Sequence, residues 1–239
     1  MVAPCTSNWR AIGVSSRTFS IIVPVLNEAP GLSQLAAHLA PLSRAGAQVL
    51  LVDGGSDDST LEWAERAGLR VIRSERGRAN QMNTGAAHAS GHTLVFLHAD
   101  TRLPEGALAL IDTTLTEARG WGRFDVAIAG RPAMLRVISG MMNWRSRLTG
   151  IATGDQAMFM TREAFEAVGG FPVQPLMEDI EMSRRLGALC KPDCLRARVI
   201  TSGRRWETRG VWRTMVLMWR LRWAYWRGVA PAVLAQAYR

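Results

Sequence analysis

Length, composition and charge narrow the classes of protein to which this chain can belong. Its 239 residues are 48% hydrophobic and 21% charged, which supplies a packed core and excludes a largely disordered chain. The net charge of +9 is carried almost wholly by arginine, since Lys191 is the sole lysine. Arginine side chains can bind nucleic acid, a nucleotide diphosphate or an anionic membrane surface, so the charge alone does not show which of these the protein binds.

The first half of the chain alternates short apolar runs with helical patterns. Residues 1–17 precede them and are predicted to form a flexible N-terminus, because they lack the apolar stretch of a signal peptide. Apolar, β-branched runs predict strands at 19–26, 48–53, 69–73 and 93–97. Helices are predicted at 32–42 and 78–89, and a further helix between them is predicted to end at about residue 67. This alternation predicts an α/β fold with a mostly parallel, doubly wound sheet flanked by helices.

The second half is less regular. Its pattern predicts helices at 105–117 and 134–148, a strand at 124–129 and a short apolar run at 157–160. Thr161 is expected to cap a helix that Gly169 and Gly170 close, and a further helix is expected to start near Glu178. We therefore expect one domain over residues 18–205, followed by a basic, amphipathic helical tail over 206–239.

The cysteines are Cys5, Cys190 and Cys194. This odd and sparse set does not form a disulfide framework, so it predicts a reducing compartment, the cytoplasm. Cys190 and Cys194 have no second pair of ligands nearby, which favours a structural loop over half of a zinc site. No uncharged apolar run approaches the ~18–20 residues that a membrane-spanning helix requires.

Polar residues follow the predicted strands, at the edge where α/β sheets bind ligands. Asn27 and Glu28 follow the first strand, Asp53 ends the second, and Asp100 follows the fourth. Gly54 lets the backbone approach a ligand, and the Asp53 carboxylate can accept hydrogen bonds from a base or ribose; the acidic residues that follow can also simply cap the next helix. Asp100 can hold Mg²⁺ or Mn²⁺ together with substrate phosphates, or be an ordinary turn aspartate.

Two further stretches carry charges at helix starts. Arg76 and Arg78 open the third helix, where guanidinium and backbone N–H groups either bind an anion or form a solvated basic loop. Glu178 and Asp179 open a later helix, where the helix dipole alone also favours carboxylates. Asp179 is the candidate general base for a sugar hydroxyl, and Glu178 stays open as the alternative.

Together these motifs resemble the family 2 glycosyltransferases, which are inverting enzymes of GT-A fold. The resemblance covers most of residues 20–206 in the family's order. It rests on Ile-Ile-Val-Pro-Val-Leu-Asn-Glu at 21–28, Val-Asp-Gly-Gly-Ser-Asp-Asp-Ser-Thr at 52–60, Leu-His-Ala-Asp at 97–100 and the stretch at 154–179. The stretches Arg-Gly-Arg-Ala-Asn-Gln-Met-Asn at 76–83 and Thr-Ser-Gly-Arg-Arg-Trp at 201–206 are similar to those of a compact bacterial subgroup.

The resemblance implies transfer of a sugar from a UDP- or GDP-sugar to an unknown acceptor, for which a lipid-linked molecule is one candidate. It implies a single displacement with inversion, in which Asp100 holds Mn²⁺ or Mg²⁺ and Asp179 or Glu178 is the base. The residues expected to bind the nucleotide sugar are Pro24, Asn27, Glu28, Asp53, Gly54, Ser56, Arg76, Arg78, Asn83 and His98. Those expected to contact the acceptor are Gly154, Asp155, Arg204, Arg205 and Trp206.

One position departs from the family's pattern. His98 stands where the family carries the first aspartate of its Asp-x-Asp motif, which typically faces the ribose. We expect His98 to donate to a ribose hydroxyl or to be a satisfied imidazole at the strand end, rather than to ligate a softer metal. The Arg-Trp pair at 205–206 resembles a motif of processive members but lacks their leading glutamine.

The tail mixes tryptophan with arginine, and Glu207 is its only acidic residue. This pattern predicts an amphipathic helix that either lies on an anionic membrane, at its cytoplasmic face, or packs on the catalytic domain. Two other functions compete with the transferase: a catalytically inactive glycan- or nucleotide-binding relative, and a basic nucleic-acid-binding protein. The second leaves Asp53, Asp100 and Asp179 without a role, so no nucleic acid is expected.

Overall fold

The computed structural model describes residues 17–116 and 120–238. The predicted flexible N-terminus, with Cys5, lies outside the described residues except for Arg17. The last residue of the helix predicted at 105–117 also lies outside them. Everything below refers to the described ranges.

The first half of the chain has the predicted order of elements, with bounds that differ by a few residues. Asn27 follows the first strand and turns the chain with a φ of 55°, in the left-handed region that asparagine tolerates better than most residues. The elements are β1 (Phe19–Val25), α1 (Leu32–Arg44), β2 (Gln48–Asp53), α2 (Thr60–Arg66), β3 (Val71–Arg73), α3 (Arg78–His88) and β4 (Thr93–Phe96).

The second half contains the predicted helices and strands together with elements that the pattern did not predict. The Thr161 hydroxyl accepts a hydrogen bond from the Ala164 amide, which confirms the predicted cap. The elements are β5 (Thr101–Arg102), α4 (Ala107–Thr114), β6 (Trp121–Ala129), α5 (Met134–Thr149), β7 (Phe159–Thr161), α6 (Arg162–Ala167), α7 (Glu178–Leu189), β8 (Asp193–Ser202), α8 (Arg204–Arg209), α9 (Val211–Trp226) and α10 (Pro231–Tyr238).

Strands β5 and β8 were not predicted. The run of β8 alternates Leu195, Ala197 and Val199 with arginines, which is a strand pattern with one exposed face, and only Val199 among these three is fully buried. Our prediction required continuous apolar runs, as in parallel strands buried on both faces, and therefore overlooked this strand.

The sheet has eight strands in the order β3-β2-β1-β4-β7-β6-β8-β5. Strands β1 to β4 pair in parallel, and so do β6 and β8. Strand β7 is antiparallel to both β4 and β6, and β5 is antiparallel to β8, so the sheet is mixed. The predicted α/β class, with a central sheet flanked by helices, is confirmed.

Two apolar clusters cover the two faces of the sheet and fix its helices in place. The face covered by α3 contains Ile22 and Val52, against which Gly85 of α3 packs directly. A Cβ atom on Gly85 would lie 2.4 Å from Cγ2 of Ile22, so only glycine allows this helix to approach so closely. This contact keeps the start of α3 beside the ends of β1 and β2.

The C-terminal helices pack on the rest of the chain near the start of α7. Leu221 of α9 and Leu234 of α10 form a small buried cluster with Met177, which directly precedes α7. Arg205 of α8 donates to the Tyr238 hydroxyl and lies 3.7 Å from the centre of its ring. None of the described helices is both long and apolar enough to cross a membrane.

Candidate active site

A cavity of about 590 Å³ lies at the carboxyl ends of β1 and β4. Residues at the start of α7 and from α5 and α9 also line it. The sheet topology places it at the edge where parallel strands present ligand-binding residues. The predicted site residues that line this cavity are Pro24, Glu28, Arg78, His98, Asp100, Gly154, Asp155, Glu178, Asp179, Arg205 and Trp206.

The remaining predicted residues lie outside the cavity lining. Asp53 is buried, and its carboxylate accepts hydrogen bonds from the amides of Gly55 and Ser56 and from the Ser56 hydroxyl. Asn27 joins the same turn, because its backbone amide donates to Ser56 Oγ and its side-chain oxygen accepts from the Asp57 backbone amide. The side chains of Asp53, Asn27 and Ser56 therefore shape the two loops after β1 and β2.

Gln81 organises this edge of the sheet and was not predicted. Its buried amide nitrogen donates at 2.7 Å to the carbonyl oxygens of both Val25 and Val52, the ends of β1 and β2. Gly54 makes room for it, since a Cβ atom there would lie 2.9 Å from Cδ of Gln81. The only sequence signal was the position of Gln81 on the apolar face of α3.

Three other predicted residues also do not line the cavity. Asn83 binds both the amide and the carbonyl group of Phe171, so it fixes the loop before α7. Arg76 is exposed at the start of α3. Burial raises the pKa of Glu28, and Arg204 lies close enough for its positive charge to oppose that rise.

Two carboxylates meet at the strand ends. Burial raises the pKa of Glu28 above its ordinary value; the charge of Arg204 opposes the shift, and the negative charges of Asp100 and Asp58 add to it. Asp100 is exposed to the cavity and forms no ion pair with any described residue. Both carboxylates thus offer oxygen atoms to a positively charged ligand at this edge.

Glu178 and Asp179 have different surroundings at the start of α7. Glu178 is buried, and its carboxylate lies 3.6 Å from a guanidinium nitrogen of Arg78. Burial and the neighbouring Asp179 charge raise the pKa of Glu178, against the opposing effect of Arg78. Asp179 is half-buried, and each of its oxygens accepts one backbone hydrogen bond, from Gly154 at 2.9 Å and Ile180 at 2.8 Å. Each oxygen keeps a lone pair for another donor.

His98 links the two sides of the cavity. Its Nδ1 lies 3.3 Å from a carboxylate oxygen of Asp155, and its buried Nε2 has no hydrogen-bond partner among the described residues. Burial opposes ionisation of Asp155, but the hydrogen bond and charge of His98, with Arg78, lower its pKa overall. The ring lies against Gly154, where an added Cβ would be 2.2 Å from Nε2.

The wall formed by α5 and α9 was not predicted as part of the site. It brings Arg145 and Arg222 into the cavity lining, together with Met141, Trp144 and Trp219. Burial lowers the pKa of Arg145 to about 10, and the positive charge of Arg222 contributes in the same direction. The tail sequence signalled a boundary helix but gave no indication that it faces α5.

The family assignment follows from comparison with known proteins. The family model described as "Glycosyl transferase family 2" matches residues 20–165, which is more than half of the chain. The chain belongs to this family. The match includes the strand ends after β1, β2 and β4, so the predicted family is confirmed. It ends at residue 165, and the bacterial subgroup with a His-Ala-Asp form of the motif stays a prediction.

Relatives of this family 2 chain include curated proteins and solved structures. The PGL/p-HBAD biosynthesis glycosyltransferase of Mycobacterium tuberculosis is 38% identical over 94 residues, which span 36% of this chain and 37% of that protein. The mannosyltransferase PcManGT from Pyrobaculum calidifontis, solved with GDP-Man and Mn²⁺, superposes with a TM-score of 0.63 at 22% identity, over 93% of this chain and 68% of that one.

A third relative is glucosyl-3-phosphoglycerate synthase from Mycobacterium tuberculosis, solved with Mn²⁺, UDP and glucosyl-3-phosphoglycerate. It superposes with a TM-score of 0.55 at 17% identity, over 81% of this chain and 77% of that one. At these identities the two solved structures establish the fold, and the curated relative matches only about a third of either chain.

Proposed function

We propose that this family 2 chain is a glycosyltransferase that moves a sugar from a nucleoside-diphosphate sugar to an acceptor hydroxyl, with inversion. One observation carries the proposal: a single cavity collects Glu28 and Asp100 from the strand ends and Asp179 from the start of α7. A displacement needs a site for the leaving diphosphate and a base for the acceptor, and these residues supply groups suited to both.

The donor would lie over the ends of β1 and β4. Solved relatives of the fold carry GDP-Man or UDP, which supports a GDP- or UDP-sugar. Pro24, Glu28, Arg78 and His98 would contact it directly. The unpartnered Nε2 of His98 suits a donor or acceptor hydrogen bond with a ribose hydroxyl. The other residues predicted to bind the nucleotide sugar would affect it indirectly, through the loops that they shape or border. They are Asn27, Asp53, Gly54, Ser56, Arg76 and Asn83.

A divalent cation fits this edge of the cavity. Asp100 is exposed and lacks a described cationic partner, and its negative charge already raises the pKa of Glu28, so a positive ion would relieve their repulsion. The described residues contain no cluster of three or more potential metal-ligating side chains. Asp100 would therefore hold Mn²⁺ or Mg²⁺ together with phosphate oxygens, as such ions often bind. When bound, the cation supplies charge stabilisation of the leaving diphosphate.

Asp179 is the better candidate for the base. Glu178 is buried, is engaged by Arg78 and has a raised pKa, whereas Asp179 is half-buried and keeps free lone pairs toward the cavity. Asp179 would take the proton from the acceptor hydroxyl as that oxygen attacks the anomeric carbon from the side opposite the diphosphate. Gly154, Asp155, Arg204, Arg205 and Trp206 would contact the acceptor or the leaving group.

Calorimetric titration with UDP and GDP, with and without Mn²⁺, tests the donor site. We expect the wild type to bind one nucleotide more tightly with Mn²⁺, and Asp100→Ala to lose at least about tenfold in that affinity, because it removes a metal-binding carboxylate. Asp112→Ala removes an exposed aspartate of α4 outside the cavity lining and is the matched control. Absence of nucleotide binding in the wild type would reject the donor site, and binding without turnover of any sugar donor would favour an inactive relative.

We also propose that the rim of the cavity rests on an anionic membrane at its cytoplasmic face. Helices α5 and α9 each expose one apolar stripe at helical spacing, and both stripes border the cavity. Exposed arginines lie beside the α9 stripe, where they suit anionic headgroups. We call these stripes the apolar rim: Val137, Met141, Trp144 and Leu148 of α5, and Trp212, Val216, Trp219, Trp223 and Trp226 of α9.

Vesicle co-sedimentation tests the apolar rim. The wild type is expected to bind vesicles of phosphatidylcholine and phosphatidylglycerol at low salt, and the double variant Trp219→Ser, Trp223→Ser is expected to bind at least about tenfold more weakly, because two exposed boundary side chains are lost. Leu189→Ser, an exposed apolar position at the far end of α7, is the control. Failure of the wild type to bind these vesicles would reject the membrane contact.

A further inference from the structure

Two arginines face the cavity without an acidic partner. Arg145 extends from α5 and Arg222 from α9, and both line the cavity. Nε and Nη2 of Arg145 are buried and have no hydrogen-bond partner among the described residues. Neither arginine forms an ion pair with a described carboxylate.

This arrangement is unfavourable unless a ligand completes it. Buried polar groups in proteins are nearly always hydrogen-bonded, and buried charges are nearly always paired. Arg123, on the neighbouring β6, also has an unpartnered Nε, but its charge is paired with Asp125 and it donates to the Asn143 carbonyl. Arg145 and Arg222 instead repel each other, and burial lowers the pKa of both. An anion between them would supply the missing acceptors and remove the repulsion.

The position of the pair identifies which ligand would use it. The charge of Asp179 acts on both arginines, which places them on the side of the candidate base. The surrounding wall is apolar and contains Met141, Trp144 and Met215. A phosphate group offers oxygen atoms to two guanidinium groups at once, which suits arginine better than a single carboxylate would.

We propose that Arg145 and Arg222 bind a phosphate group of the acceptor, beside the separate hydroxyl that Asp179 deprotonates. The apolar remainder of the acceptor then lies on Met141, Trp144 and Met215, toward the apolar rim. This subsite assignment rests on the proposed transferase function, which leaves the acceptor's chemistry open. The subsite specifies this chemistry: the acceptor is an amphiphile that carries a phosphate group.

Binding of decyl phosphate measured by calorimetry tests the subsite. The titration is made with the cavity's donor site saturated by the nucleotide and Mn²⁺, so that the probe reports the remaining space; if no nucleotide binds, it is made without them. Inorganic phosphate carries the charge without the alkyl chain, and decyl maltoside carries the alkyl chain without the charge. We expect decyl phosphate to bind at least about tenfold more tightly than either.

The variants locate the binding. Arg145→Gln and Arg222→Gln are each expected to weaken decyl phosphate binding at least about tenfold, because charge-assisted hydrogen bonds are lost, and to leave nucleotide binding within about twofold. Arg220→Gln makes the same charge change at an exposed position of α9 and is expected to bind like the wild type. Arg222→Lys, which keeps the charge without the planar fork, is expected to retain part of the affinity.

Three results would overturn the subsite. Equal binding of decyl phosphate by Arg145→Gln, Arg222→Gln and Arg220→Gln would show that the pair does not hold the phosphate. Equal binding of decyl phosphate and decyl maltoside to the wild type would reduce the site to an apolar groove. A parallel loss of nucleotide affinity in Arg145→Gln and Arg222→Gln would assign both arginines to the donor. Nucleotide binding by the wild type separately decides the proposed function.

Discussion

Asp179→Asn is expected to lower the rate at which the sugar donor is hydrolysed by about 10²–10⁴-fold, the range typical of a lost general base. In this reaction water takes the place of the acceptor, and the nucleoside diphosphate is set free. Asparagine cannot take a proton from the acceptor, but it has nearly the same shape and keeps one oxygen for the hydrogen bond from Gly154. The measurement is release of UDP or GDP from the sugar donor with water as acceptor, which requires no knowledge of the natural one.

Glu178→Gln is the matched control for that experiment. It makes the same chemical change one residue earlier, on a side chain of the cavity lining that is buried and lies against Arg78. We expect its turnover to fall by less than about tenfold, and nucleotide binding to be retained in both variants. A larger loss in Glu178→Gln than in Asp179→Asn would reverse the assignment of the base.

The sequence predicted which residues meet at the strand ends because this edge of the cavity depends on local patterns. Parallel strands end at one edge of a sheet, so residues directly after β1 and β4 had to meet there. Glu28 and Asp100 do line one cavity. Asp53, which follows the same pattern after β2, instead satisfies the amides of its own turn, because a carboxylate beside two glycines finds backbone donors first.

The wall formed by α5 and α9 could not be predicted in the same way. Arg145 and Arg222 are far apart in the chain, and only the packing of α9 and α10 around Met177 brings them to one cavity. Amphipathic periodicity predicted α5 and the tail helices separately but carries no information on which helices meet. The tail alternatives are also not exclusive, since α9 buries Leu221 and still exposes Trp219 and Trp223.

Stability of the wall depends on a buried ion pair within β6 that also binds an arginine of α5. The guanidinium of Arg123 is fully buried and pairs with Asp125, which also accepts from Arg147 of α5 at 2.6 Å. Asn143 of α5 reinforces the contact, because its side chain bonds both the amide and the carbonyl group of Val126. These bonds hold the helix that carries Arg145 and Trp144 against the sheet.

Asp125→Ala is therefore expected to lower the free energy of unfolding by about 3–5 kcal/mol, because it leaves the Arg123 charge buried without its partner. Urea denaturation followed by circular dichroism measures the change as a lower midpoint at constant slope. Glu62→Ala breaks the exposed pair with Arg66 and is expected to leave the midpoint unchanged.

The double variant Arg123→Met, Asp125→Leu separates the lost charge partner from lost packing. Apolar side chains that fill the same space remove both buried charges at once, so this variant is expected to recover most of the stability that Asp125→Ala loses. If Arg123→Met, Asp125→Leu were as unstable as Asp125→Ala, the loss would come from packing between β6 and α5. The ion pair would then no longer explain how α5 is held at the cavity.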